Sequence, residues 1–149
     1  MTSTIPDTTL DRHVELMLRP DGQLVSLLRA ALPDALAIYA FGSRVQASAR
    51  PDSDLDLAVL VPRYADPLHL WSRASQLADL AGCAVDLLDL RAASTVMQYQ
   101  VLTPGRRLWG RQPDAAHFEC FVMSEKLALD AARAGLLADI ARTGTVHGR

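Results

Sequence analysis

The chain has 149 residues, 50% of them hydrophobic and 21% charged, with 15 Lys+Arg against 17 Asp+Glu for a formal net charge of -2. That length suits one compact domain with a real core, not a catalytic domain joined to a large substrate domain, which excludes a multidomain polymerase or tRNA-maturing enzyme. The apolar content excludes a disordered chain, no apolar run approaches the ~20 residues that span a bilayer, and Met1 to Asp11 lacks the basic start and apolar core of a secretory signal.

A soluble, cytoplasmic protein with no membrane contact is expected. Cys83 and Cys120 form no CxxC and no disulfide framework, as suits a reducing compartment. Charge is unevenly spread: residues 1–90 hold 12 acids and 7 bases, residues 91–149 hold 5 acids and 8 bases.

Residues 1–20 are expected to be a flexible N-terminus, followed by a single domain over 21–143 and a tail at 144–149. Leu24, Leu27 and Leu28 mark a helix over 23–32 that Pro33 ends. Ala35 to Phe41 is a short apolar run closed by Gly42, and Leu55 to Val61 is another ended by Pro62; both read as buried strands. Asp66-Pro67 supplies an N-cap and a first-turn proline, and Gly82 a stop, for a helix over 67–81. Ala84 to Leu90 reads as a third strand, Ser94 to Leu102 as a short helix, Arg106 to Trp109 as a short edge strand, and Asp114 to Ile140 as a long helix. This order implies an α/β (α+β) fold, a small mixed sheet covered by helices.

The chemistry concentrates between Phe41 and Val61, FGSRVQASARPDSDLDLAVLV. A strand that stops at Gly42-Ser43 and turns into a helix would aim backbone N–H groups and the Ser43 hydroxyl at one point, an anion site. Ten residues later, Asp54 and Asp56 project from one side of a strand while Leu55, Leu57, Val59 and Val61 face the other. Carboxylates that close repel unless a cation neutralises them, and magnesium, which takes a few carboxylates plus water and phosphate, is the natural one. Asp86, within an otherwise apolar strand, reaches the same cation if its strand lies beside the second. Three carboxylates facing a phosphate-binding turn suit two-metal phosphoryl or nucleotidyl transfer, with Asp86 also placed to accept the attacking hydroxyl's proton. A calcium loop starting at Asp52 is excluded, because its sixth position is Leu57 instead of glycine and its twelfth is Arg63 instead of glutamate.

Gly42-Ser43, ten residues, then Asp54-x-Asp56 resembles the G-S-x(10)-D-x-D pattern of the polymerase-beta-like nucleotidyltransferases. The likeness is greatest to the minimal nucleotidyltransferases that serve as antitoxins beside HEPN-domain toxins, and it runs from about Ala35 to Trp109. The resemblance implies that fold, two Mg²⁺ ions on Asp54, Asp56 and Asp86, ATP as donor, and Gly42 and Ser43 on the triphosphate. It further implies transfer of AMP to a tyrosine of a cognate HEPN RNase toxin, which silences it, with no direct nucleic-acid binding. Relatives usually read G-S-x-A-x-G; Val45 and Ala47 depart from this, and Ala47 implies a tighter turn. Two other readings stay open: a small-molecule (antibiotic) nucleotidyltransferase, and a non-enzymatic antitoxin that acts by binding alone.

Arg44, beside the anion turn, is a candidate phosphate ligand, with Arg50 and Arg63 behind it. Asp52 is expected to cap the turn, Asp89 to end its strand facing away from Asp86, and Trp71 and Trp109 to be core or partly core. His13, His69, His117 and His147 show no ligand spacing. The long C-terminal helix is apolar on more than one face, which points to central packing or a partner surface.

Overall fold

The computed structural model describes residues 8–46, 50 and 52–144. In chain order they form α1 (Thr8–Met17), α2 (Gln23–Ala31), β1 (Ala37–Phe41), β2 (Leu55–Leu60), α3 (Pro67–Ala81), β3 (Val85–Asp89), α4 (Thr95–Leu102), β4 (Arg106–Gly110) and α5 (Asp114–Thr143). The sheet runs β3-β2-β1-β4, with β1 antiparallel to β2 and β4, and β3 parallel to β2. This is the mixed sheet covered by helices that the sequence implies.

Alternation along the strands explains why helices cover both faces. Ile38, Ala40, Leu55, Leu57 and Val59 pack with Leu18 of the α1 end, Leu24 and Leu28 of α2, and Leu70 and Leu77 of α3. Ala37, Tyr39, Ala58 and Leu60 point the other way, to Val101 of α4 and Phe118 and Val122 of α5. The central strands β1 and β2 are therefore buried almost throughout, whereas edge strand β3 is not. Asp66 caps α3 by accepting the Leu68 N–H at 3.0 Å, and Gly82, at φ 75°, ends it. Ser94 caps α4 in the same way, from Met97 N–H at 3.2 Å.

Two expectations fail. The N-terminal segment is not loose from Thr8 onward: α1 buries Val14, Met17 and Leu18, and Arg106 grips Glu15 through two hydrogen bonds of 3.0 and 3.2 Å. The i, i+3, i+4 spacing of those three apolar residues is the helical pattern responsible; residues 1–7 lie outside the described part. Central packing of α5 holds only for its first third. Ala115, Phe118 and Val122 are buried, but Phe121, Leu127, Leu136 and Leu137 are 56%, 70%, 55% and 60% exposed. The helix also runs past Ile140 to Thr143, where Gly144 at φ 67° stops it.

Tyr39 anchors α5 to the sheet. Its hydroxyl donates to Glu119 Oε1 at 2.9 Å, and Arg107 donates to the same oxygen at 3.0 Å. Burial and the Glu119 carboxylate push the Tyr39 hydroxyl far above its ordinary pKa, so it remains a donor. Among the described residues no helix is long and apolar enough to cross a membrane.

Because Leu18 is 4% exposed, Leu18→Ala should cost about 2–5 kcal/mol in urea unfolding; a loose N-terminus would lose nothing measurable.

Candidate active site

The end of β1 and the starts of β2 and β3 meet at one corner of the sheet. Phe41 lies opposite Asp56, and Asp56 is in register with Asp86 on the neighbouring parallel strand. By strand alternation Asp54 and Asp56 share the face of Ala58 and Leu60, and Asp86 shares it with Leu88, so all three carboxylates lie on the α4/α5 side. The structure thus brings Asp54, Asp56 and Asp86 together. Asp86 is exposed rather than buried, because β3 is the sheet's edge.

Gly42 supplies the wall facing them. Its φ is 80°, in the left-handed region, and a Cβ there would collide with the Asp56 carboxylate, so the backbone conformation and the space both require glycine. The N–H groups of Val45 and Gln46 both return to the Gly42 carbonyl, at 3.2 and 3.1 Å. That is one hydrogen-bonded turn, not the expected helix, over the described residues; 47–49 lie outside them, Ala47 included. Ser43 sits in this turn, and Val45 packs on the core.

Arg44 is turned toward its own chain. Nε donates to the Ser53 carbonyl at 3.0 Å and Nη1 reaches Asp11 at 3.4 Å, strapping the loop to α1, with the side chain only 4% exposed. Nη2 is buried with no hydrogen-bond partner among the described residues. Ser53, not Asp52, closes the loop by accepting the Arg50 N–H at 2.7 Å. Arg50 and Arg63 lie exposed on the surface. Asp89 ends β3 as expected and accepts the Ala65 N–H at 2.8 Å. His13 and His69 contact the Leu80 and Ala31 carbonyls, and His117 is exposed; His147 lies outside the described residues.

Burial raises the Asp56 pKa above the ordinary carboxylate value, and the charges of Asp86 and Asp54 raise it further. No cationic side chain is paired with any of the three among the described residues. Nor do three acidic, histidine or cysteine side chains form a ready-made cage for one ion there. The corner is an open, all-oxygen donor set carrying uncompensated negative charge. It fits a hard divalent cation whose remaining ligands are water and phosphate oxygens.

Sequence reasoning missed what stands beside Asp86. Trp71 is 75% exposed, not partly core, and Tyr64 is 71% exposed. The signal was available: Leu70, Leu77 and Ala81 define the buried face of α3, which turns Trp71 outward. Trp109 is half-buried, with the Arg29 guanidinium 4.3 Å from its ring centre.

The chain belongs to the polymerase beta nucleotidyltransferase family: residues 23–114 match the family described as Polymerase beta, Nucleotidyltransferase. Within that family it is similar to the protein adenylyltransferase MntA of Shewanella oneidensis, 38% identical over 120 residues that cover 80% of this chain and 86% of that protein. A crystal structure of a toxin-antitoxin with AMP-PNP superimposes with TM-score 0.70 and 39% identity, covering 79% of this chain and 95% of that one. A chain of the complex between tri-AMPylated Shewanella oneidensis HEPN toxin and MNT antitoxin gives TM-score 0.65 and 37% identity, covering 80% and 93%. The resemblance carried by Gly42-Ser43 and Asp54-x-Asp56 is borne out.

A carboxylate whose pKa is raised on folding favours the protonated folded state, so its contribution is present at acid pH and lost as pH rises through the folded value. Wild-type protein without divalent cations should therefore lose melting temperature relative to Asp56→Asn as pH rises from the carboxylate range to neutrality. Identical pH profiles for the two proteins would show that Asp56 feels no such repulsion.

Proposed function

We propose that this chain is a cytoplasmic, Mg²⁺-dependent protein adenylyltransferase that acts as an antitoxin, transferring AMP from ATP to a tyrosine of a cognate HEPN RNase toxin. The observation that carries the reading is the register of Asp56 with Asp86 beside a glycine turn that only glycine can form. MntA bears the name protein adenylyltransferase, and similar chains occur in complexes with AMP-PNP and with an AMPylated HEPN toxin.

Gly42 and Ser43 hold the triphosphate, and Arg44, strapped to Ser53 and Asp11, holds the loop that carries them. Asp54, Asp56 and Asp86 would hold two Mg²⁺ ions, which would supply Lewis acidity to the phosphate oxygens and neutralise the carboxylates. The tyrosine oxygen attacks the α-phosphorus, forming the new O–P bond. The bond from that phosphorus to the α,β-bridging oxygen breaks, and pyrophosphate leaves. Asp86, exposed at the outer strand, accepts the phenolic proton. The exposed distal half of α5 adds apolar surface for a protein partner, which favours a macromolecular acceptor over a drug.

Alanine at both Asp54 and Asp56 should abolish transfer while leaving the far-ultraviolet circular dichroism spectrum unchanged, because neither side chain contributes to a core cluster. Intact-mass spectrometry of the co-expressed HEPN protein reads the result. AMP-sized increments with the wild type alone support the mechanism. Increments with the double variant contradict it, and a tight complex that stays unmodified with both points to inhibition by binding.

A further inference from the structure

A groove of about 780 Å³ runs along the outer edge of β3, between that strand and α3. Asp54 and Asp86 open onto it, and Tyr64, Pro67, Trp71 and Ala74 help to line it. Its backbone, its apolar surface and its charge all select the same occupant.

The strand edge is open. Leu55 donates its N–H to the Ala84 carbonyl at 2.8 Å and Leu90 donates to the Val59 carbonyl at 3.0 Å. The even-numbered positions therefore bond to β2, and Val85, Leu87 and Asp89 turn their N–H and C=O groups outward. Among the described residues no strand pairs with that edge, and such an edge is a template for an extended chain.

The apolar lining is exposed to a degree that a free surface seldom shows. Trp71 and Tyr64, 75% and 71% exposed, put two large side chains in the groove that Asp54 and Asp86 also line. Of the acids that line the groove, Asp54 and Asp86 belong to the cation corner, which leaves Asp89 as the charged group that faces an occupant. Asp89 Oδ1 is buried with no hydrogen-bond partner among the described residues, while its Oδ2 is taken by the Ala65 N–H. A donor-bearing or basic segment fits there, and an acidic one does not.

The geometry points to this groove as the seat of the acceptor: an extended, neutral-to-basic polypeptide segment that pairs with the outer edge of β3 and lays apolar side chains on Tyr64 and Trp71. The inference rests on the nucleotidyl-transfer reading above and extends it. Strand order supports it, since the glycine turn follows β1, Asp56 lies on β2 and Asp86 on β3. Nucleotide and acceptor then flank the carboxylates from opposite sides, and a hydroxyl arriving over β3 meets Asp86 first.

The test uses the full chain, Mg²⁺, ATP and the cognate HEPN-domain protein. Trp71→Ala should raise the KM for that protein by about tenfold or more, with kcat and AMP-PNP affinity nearly unchanged, and Trp71→Phe should restore most of the loss. In the wild-type complex, amide exchange at Val85 and Leu87 should slow. An unchanged KM in Trp71→Ala, or unprotected Val85 and Leu87 amides, overturns the groove. A wild-type chain that binds the HEPN protein, protects these amides and transfers no AMP supports the groove and contradicts the proposed function instead.

Discussion

Repulsion among carboxylates at one corner of the sheet is the constraint that organises this molecule. Asp56 cannot move away from Asp86, because their strands are hydrogen bonded in register, nor toward β1, because the Gly42 backbone already presses against it. Unfavourable charge is thus held in place by a sheet whose two central strands are buried on both faces, against helices on either side. The same fixed geometry that makes the corner costly makes it receptive to cations, and a bound cation with its phosphate would turn the acidic cluster into a nucleotide site.

The sheet also sorts the participants in space. The glycine turn follows an inner strand, two carboxylates stand at the start of the next, and the last acid stands at an open edge. This arrangement leaves one side of the carboxylate corner walled by the Gly42 turn and the other open along the edge of β3. The 12 acids of the first 90 residues include the three in this corner.

Local signals made much of this legible in the sequence. The helix over 67–81 was readable because Asp66-Pro67 and Gly82 act within a turn of its ends, and the Gly42-Ser43 to Asp54-x-Asp56 spacing is local as well. What escaped depends on distant partners. The helix at Thr8–Met17 is amphipathic only through a few apolar residues among charged ones, and it is held by a sheet formed much later in the chain. The exposure of Asp86, within an otherwise apolar strand, could not be read either, since strand order, which makes its strand an edge, is not written in any one segment. Arg44 was expected to face phosphate, and its contact with Asp11, 33 positions earlier, could not be read from neighbours. The partial burial of the last helix is of the same kind, for its apolar second face has no counterpart within the described chain.

The central claim is that Asp54, Asp56 and Asp86 hold the metal ions that receive the triphosphate at Gly42-Ser43. The most direct measurement is anomalous diffraction from crystals grown with Mn²⁺ and AMP-PNP, since manganese takes the same oxygen ligands as magnesium. The account predicts anomalous peaks within coordination distance of these carboxylates, with the triphosphate lying along the Gly42-Ser43 turn. Manganese or triphosphate bound elsewhere, with the three carboxylates left uncoordinated, would contradict it.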